Sequence, residues 1–168
     1  KDFLRNETSE DTFQPPVDPL NKRKVLIIED DTDIREFLRE EIGVYFEVEV
    51  AADGTSGFEK ASTYDADLIV CDVLMPGMNG FEVLEYMTRN HWIEEVPVIM
   101  ISSEDSTEVV RRAYEMGVSD YINRPFDAGV VHRRVYNTIK LYAKQRRLIT
   151  LITNQVYEKE KNNRMMVE

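Results

Sequence analysis

Acidic and hydroxyl-bearing side chains end several short apolar runs of this sequence. Glu29 and Asp30 follow KVLII, Asp72 ends DLIVCD, and Ser102 ends VPVIMIS. Carboxylates that are brought together repel, so each raises the pKa of its neighbours unless a cation compensates. Carboxylate oxygens with room left for water are what Mg²⁺ prefers. A carboxylate beside that ion can act as a nucleophile toward a phosphoryl group and form an acyl phosphate.

A basic residue, Arg124, follows a further apolar run, SDYIN. With the hydroxyl of Ser102, its cation could hold the phosphoryl oxygens that the metal leaves free. Each residue also has a structural interpretation, as a helix N-cap (Asp30 or Asp31, Ser102 or Ser103), a turn residue (Asp72) or a surface ion pair (Arg124). All of these residues follow or end predicted strands and would lie at the same edge of a parallel sheet. This shared position favours the functional interpretation.

Five apolar runs and four amphipathic segments alternate between residues 24 and 123. The strands are predicted at 24–28, 46–52, 67–72, 96–102 and 119–123, and the helices at 32–44, 54–63, 80–90 and 104–116, the last closed by Gly117. Strands that are apolar throughout predict an α/β fold with a doubly wound five-stranded parallel sheet. In the flavodoxin-like order 2-1-3-4-5, strands one and three are neighbours. Ligands bind such sheets beyond the carboxyl ends of the strands, where the order reverses.

Composition limits the remaining classes. The 168 residues, with 32 Asp and Glu against 21 Lys and Arg, have room for one domain plus appended segments. No apolar run approaches the roughly 18 residues that a membrane span needs, and the N-terminus lacks the pattern of a signal peptide. We therefore expect a cytoplasmic protein without a membrane span. The net charge of −11 disfavours nucleic-acid binding. One cysteine, Cys71, and two distant histidines leave no zinc-site spacing, so oxygen atoms would bind any metal.

The two ends of the chain differ from its middle. Residues 1–22 contain Pro15, Pro16 and Pro19 and many acids, and we interpret them as a linker or tail before a domain at 23–139. The first residue is Lys rather than Met, which suggests a fragment.

Residues 140–168 are predicted to continue the last helix. From Val130 to about Lys161 there is no Pro or Gly, and a seven-residue repeat comprises Val135, Tyr142, Ile149 and Val156, with Thr138, Gln145 and Ile152 between them. This pattern predicts an extended C-terminal helix that forms a coiled coil or leads to an output domain. The alternative is a solvated helix that packs only on its own domain.

The segments VLIIEDD, LIVCDVLMPGMNGFEVL, PVIMISS and GVSDYINRPF resemble the receiver domain of bacterial two-component response regulators, over residues 24 to about 138. The resemblance implies that Asp72 is the phosphoacceptor. It implies that Glu29, Asp30, Asp72 and the main-chain carbonyl of Leu74 bind Mg²⁺. A sensor histidine kinase or a phosphotransfer protein would donate the phosphoryl group.

The same resemblance assigns further roles. Ser102 matches the switch residue that turns toward the phosphoryl group, and Tyr121 matches the aromatic side chain whose rotamer follows it. The Arg124–Pro125 peptide is expected to be cis. Leu74 and Glu104 lie at the mouth of the site, where they would tune the lifetime of the phosphoryl group. No enzymatic activity is expected beyond the chain's own phosphorylation and dephosphorylation.

One position departs from the family pattern, because Arg124 stands where the family has lysine. A guanidinium is a planar fork, whereas an ammonium is a compact point charge. Arg124 would either bind the phosphoryl oxygens or lock onto Asp72. In the second case the chain is a phosphorylation-independent pseudo-receiver, an interaction module.

The resemblance also concerns assembly. A homodimer is expected through the C-terminal helix, or through the face built by helix four, strand five and helix five. Similar receivers with extended helices often precede cyclic-dinucleotide enzymes, so an output domain outside these residues is expected.

Overall fold

The computed structural model describes residues 23–167, so the predicted linker at 1–22 lies outside the described residues. Five strands alternate with helices along the chain. The strands are β1 (Lys24–Ile28), β2 (Glu47–Ala51), β3 (Leu68–Asp72), β4 (Val98–Ser102) and β5 (Asp120–Asn123). The helices are α1 (Thr32–Gly43), α2 (Gly54–Thr63), α3 (Gly80–Arg89), α4 (Thr107–Glu115) and α5 (Ala128–Val167), with a short 3-10 helix at Trp92–Glu94.

The strands form one parallel sheet in the order β2-β1-β3-β4-β5, which confirms the predicted doubly wound fold. In the pairing of β1 with β3, Ile28 lies beside Cys71. The residue after β1 is therefore next to Asp72, the last residue of β3. Every residue of β3 and β4 is buried, because helices cover both faces of the sheet.

Two apolar layers enclose the sheet. On one face, Leu38 of α1 and Val135 of α5 pack against β1, β3 and β4. On the other face, Leu84 and Met87 of α3 and Ala113 of α4 pack against the same strands. Burying these side chains contributes most of the driving force for folding and holds the strand ends in place.

Side-chain caps fix where α1 and α4 begin. Asp31 accepts a hydrogen bond from the Ile34 amide at the start of α1, as one of the predicted alternatives had it. Helix α4 begins at Thr107, three residues later than predicted, because the hydroxyl of Ser106 caps it through the Val109 amide. The N-cap interpretation of Ser102 or Ser103 was therefore wrong.

Helix α5 continues well past the sheet, as a single helix of 40 residues. Its first turns are buried in the domain, but the side chains from Lys144 to Met166 are exposed. At the boundary Tyr142 and Ser119 share a hydrogen bond of 3.2 Å, and Arg146 binds the Glu95 carbonyl. No helix in the described part of the chain is long and apolar enough to cross a membrane.

Candidate functional site

Three carboxylates meet at the carboxyl ends of β1 and β3. Glu29 and Asp30 directly follow β1, and Asp72 ends β3 beside it. One oxygen from each lies within 4.8 Å of the others. Sequence reasoning expected this convergence.

Burial makes the group electrostatically costly. The side chain of Glu29 is fully buried and that of Asp72 nearly so, whereas Asp30 is the most accessible of the three. Burial, together with the charge of Asp72, raises the pKa of Glu29 to about 8. Burial also raises the pKa of Asp72, although Arg124 opposes that shift. The crevice therefore requires a cation when these carboxyl groups are ionised.

Arg124 supplies one such cation from the end of β5. Its Nη2 donates to Asp72 Oδ2 at 3.2 Å and to Glu29 Oε2 at 3.4 Å, so one guanidinium bridges both buried carboxylates. The Arg124–Pro125 peptide is cis. The sequence left two roles open for Arg124, which could bind phosphoryl oxygens or contact Asp72. The structure shows the contact with Asp72.

Ser102 ends β4, Tyr121 is the second residue of the neighbouring strand β5, and both hold the loop after β4. The buried Ser102 Oγ accepts a hydrogen bond of 3.1 Å from the Glu104 amide. The hydroxyl of Tyr121, whose side chain is buried, donates to the Glu104 carbonyl at 2.7 Å. Both polar groups of the Glu104 main chain are thus bound by residues proposed as switch elements.

The loop after β3 forms the other wall of the site. The amide of Leu74 donates to Asp72 Oδ1 at 3.3 Å, and its side chain is half exposed at the mouth of the crevice. Gly80 starts α3 directly against the main chain of Asp72, where an added Cβ would overlap the Asp72 carbonyl oxygen. Sequence reasoning missed this role of Gly80. The available signal was a glycine at the start of an apolar helix.

Sequence reasoning also missed Arg35, one turn into α1. Its Nη1 donates to the main-chain carbonyl of Glu29 at 2.9 Å and to that of Asp30 at 3.3 Å. These bonds fix the backbone that carries two of the three carboxylates. The only signal was a basic residue four positions after the N-cap Asp31, which by itself is common on helices.

The donor set suits a small hard cation. All three groups offer carboxylate oxygens, and two of them are buried beside each other with raised pKa. Mg²⁺ is bound in this way by a few carboxylates while it keeps several waters. The accessible position of Asp30 leaves one side of the group open to solvent.

The comparisons with known proteins agree with this geometry. Residues 25–136 match the model of the response regulator receiver domain, and the chain belongs to this family of two-component signal transduction. The chemotaxis protein CheY4 from Vibrio cholerae superposes with a TM-score of 0.65 at 28% identity, over 69% of this chain and 98% of that one. Receiver domains typically bind Mg²⁺ at an acidic pocket of this kind.

Two curated relatives are much longer than this chain. Hybrid signal transduction histidine kinase D of Dictyostelium discoideum is 31% identical over 134 residues, which are 80% of this chain and 9% of that protein. A probable cyclic di-GMP phosphodiesterase of Vibrio cholerae is 28% identical over 148 residues, 88% of this chain and 33% of that protein. The chain therefore spans a third or less of these relatives.

Proposed function

We propose that this receiver accepts a phosphoryl group on Asp72, with Mg²⁺ held by Glu29, Asp30, Asp72 and the main-chain carbonyl of Leu74. The observation that carries the proposal is the position of Asp72. Its carboxylate ends the central strand in a crevice shared with two further carboxylates and a guanidinium. The bound ion would neutralise oxygens of the phosphoryl donor.

In the transfer step, a carboxylate oxygen of Asp72 attacks the phosphorus atom of a phosphohistidine or of a small acyl phosphate. The new O–P bond forms as the bond to the histidine nitrogen, or to the donor's acyl oxygen, breaks, and the leaving group departs with that electron pair. Arg124 lies within reach of the added charge. Its buried Nε–H has no hydrogen-bond partner among residues 23–167, so it is a further donor for a phosphoryl oxygen.

The response starts with Ser102. The Ser102 hydroxyl oxygen accepts from the Glu104 amide, and a phosphoryl oxygen would offer a charged acceptor for the hydroxyl's own proton. We infer that the hydroxyl then turns toward Asp72 and releases the Glu104 amide. Tyr121 binds the carbonyl of the same residue and would move with the loop. The change would then reach the face formed by α4, β5 and α5.

Leu74 and Glu104 are proposed to set how long the phosphoryl group persists. The Leu74 side chain stands half exposed beside the acceptor, where its apolar surface obstructs water in line with the O–P bond. Glu104 lies on the opposite wall, two residues beyond Ser102.

The second candidate function is the phosphorylation-independent interaction module. The bridge from Arg124 to Asp72 and Glu29 favours it, because a guanidinium already balances the two buried carboxylates. If the bridge is permanent, neither Mg²⁺ nor a phosphoryl group enters.

A titration with Mg²⁺ followed by beryllofluoride separates the two functions. The receiver function predicts saturable Mg²⁺ binding and chemical-shift changes at Ser102 and Tyr121 when beryllofluoride is added. The Asp72→Asn variant is the matched control, since it keeps the size of the side chain and removes the nucleophile. Absence of Mg²⁺ affinity in the unsubstituted chain would favour the interaction module.

The wider role follows from the relatives. One of them is a hybrid histidine kinase, consistent with a sensor histidine kinase or phosphotransfer protein as the donor. The division into linker (1–22), receiver (23–139) and extended helix (140–168), the homodimer, the output domain and the cytoplasmic location stay predictions. A cyclic di-GMP enzyme is the proposed class of output, since such a relative matches 88% of the chain.

A further inference from the structure

An exposed apolar stripe runs along α5 after it leaves the receiver. Leu148, Ile149, Ile152 and Val156 are each between 52% and 64% exposed. A helix obtains most of its stability from packing an apolar face, and these turns of α5 make no such contact within the described part of the chain. The stripe therefore lacks the partner that would stabilise it.

The stripe follows a heptad repeat that starts at the edge of the receiver. With Tyr142 at position a, the later a positions are Ile149, Val156 and Asn163, and the d positions are Gln145, Ile152, Lys159 and Met166. Val135, the preceding a residue, is buried in the receiver core, so the repeat is available to a partner only after Tyr142. We call Ile149, Ile152, Val156 and Asn163 the seam.

The receiver occupies a different side of α5 from the seam. Val135, Ile139 and Arg146 face the receiver, and successive helical residues are rotated by roughly 100°. At this rotation, the seam residues lie about a quarter of a turn around the helix axis from the residues that face the receiver. A second helix can therefore pack along the seam without displacing the receiver.

A second copy of this chain fits the seam in parallel register. Each layer then meets itself, so Ile149, Ile152 and Val156 form apolar layers and Asn163 pairs with Asn163, an arrangement known to fix register and two-stranded assembly. In an antiparallel pair, a residues oppose d residues. If Ile152 packs against Ile149, Val156 then lies against Gln145. If Ile152 packs against Val156, Ile149 then lies against Lys159.

The charged residues of the C-terminal part of α5 are placed as the parallel pair requires, mostly away from the contact. Of the seven basic residues from Lys140 to Arg164, five lie at the outward b, c or f positions, namely Lys140, Lys144, Arg147, Lys161 and Arg164. Arg146 is bound to the receiver at the Glu95 carbonyl. Only Lys159 is on the a and d line, where it faces Lys159 of the second copy and each long side chain can extend its ammonium to solvent. The flanking g and e′ pairs, such as Gln155 with Glu160, contain no like charges.

We propose that α5 pairs with α5 of a second copy as a parallel two-stranded coiled coil along the seam, with the receivers on the outside. This inference deepens the expected homodimer of the proposed function, since it selects α5 over the face of α4, β5 and α5. It does not depend on phosphorylation of Asp72.

Sedimentation equilibrium of the 168-residue chain tests the pairing. The unsubstituted chain is expected to be a dimer at micromolar concentration, and Ile152→Glu should raise the dissociation constant roughly tenfold or more. Leu151→Glu is the matched control, because this adjacent side chain is 52% exposed and lies at an outward position. It introduces the same charge and should leave the dimer intact. A monomeric unsubstituted chain, or a dimer that Ile152→Glu leaves unchanged, would overturn the proposal.

Disulfide formation tests the orientation. Cys71, the single native cysteine, is buried, so an introduced thiol is the accessible one. Val156→Cys should give a covalent dimer on mild oxidation, and Asn154→Cys, at an outward position, should not. Failure of Val156→Cys to cross-link in a dimeric sample would overturn the parallel arrangement. Asp72 phosphorylation is measured on the Ile152→Glu variant, so loss of pairing and loss of the proposed receiver function are distinguished.

Discussion

Arg124 Nη2 lies 3.2 Å from Asp72 Oδ2, so the carboxylate proposed as the phosphoacceptor is already paired with a cation of the chain itself. The same nitrogen lies 3.4 Å from Glu29 Oε2. These are two of the carboxylates proposed to bind Mg²⁺. Arg124 and the proposed Mg²⁺ would therefore compete for the same negative charge in this crevice.

Removing the guanidinium should make the fold depend on the metal. In Arg124→Ala, two buried carboxyl groups lose their cation, and we expect the free energy of unfolding to fall by about 1–3 kcal/mol in EDTA. Added Mg²⁺ should restore most of that loss. Urea unfolding with EDTA and with Mg²⁺ measures both effects.

Arg124→Lys is the control for charge. The lysine nitrogen lies one bond closer to the main chain than Nη2 of Arg124, which makes both carboxylate contacts. We therefore expect a looser contact with the carboxylates and tighter Mg²⁺ binding than in the unsubstituted chain. Equal Mg²⁺ affinity in both proteins, measured by calorimetry, would contradict competition by Arg124.

The raised pKa of Glu29 gives the metal-free protein a specific pH dependence. Its pKa is about 8 in the folded chain against an ordinary 4.5, so the folded state keeps a proton that the unfolded state has lost between these values. The contribution of the protonated Glu29 to the free energy of unfolding is fully present below about pH 4.5 and is lost as the pH rises through 8. Unfolding measured in EDTA from pH 5 to pH 8 should show the decline, on the order of a few kcal/mol.

The Glu29→Gln variant isolates that dependence. A neutral amide has no proton to lose, so the decline with rising pH should be smaller than in the unsubstituted chain. Mg²⁺ favours the ionised carboxylates, so saturating Mg²⁺ should also reduce it. An identical pH profile for Glu29→Gln in EDTA would show that Glu29 is not the titrating group.

Gly80 is predicted to be intolerant of even a methyl group. An added Cβ would overlap the main-chain carbonyl of Asp72 and approach the side chain of Met100. Gly80→Ala should therefore lower the free energy of unfolding by about 1–3 kcal/mol. Gly43→Ala is the matched control, because the nearest atom to its added Cβ, on Val48, is 3.9 Å away.

Leu74 should govern the rate at which the phosphoryl group is lost. Leu74→Asn replaces apolar surface with a group that can bind water, and we expect dephosphorylation to accelerate roughly tenfold, equivalent to about 1.4 kcal/mol in the barrier. Decay of the phosphorylated protein after removal of the donor measures the rate. Unchanged decay would remove Leu74 from the proposed set of lifetime-tuning residues.

The sequence predicted the parts of the fold that depend on periodicity. Apolar runs between amphipathic segments indicate a parallel sheet, and parallel strands bring Glu29 and Asp72 to one edge whatever the surrounding packing. Ser106 was missed as the cap of α4 because several hydroxyls and acids precede that helix, and only the path of the loop selects one.

The site details that were missed depend on tertiary distance. Arg35 binds main-chain carbonyls, which carry no sequence signal, and Gly80 is needed because α3 starts against β3. The contact between Arg124 and Asp72 was one of two open alternatives, since sequence gives the charge but not its partner. Val135 matched the heptad repeat but is buried in the receiver, because a helix can present the same spacing to its own domain.

Incubation with acetyl phosphate and Mg²⁺ followed by intact-mass measurement tests the central claim most directly. We predict a mass increase of one phosphoryl group, located on Asp72 by peptide mapping and lost in Asp72→Asn. An unchanged mass in the presence of Mg²⁺, or a phosphoryl group that persists in Asp72→Asn, would contradict the assignment of Asp72 as the phosphoacceptor.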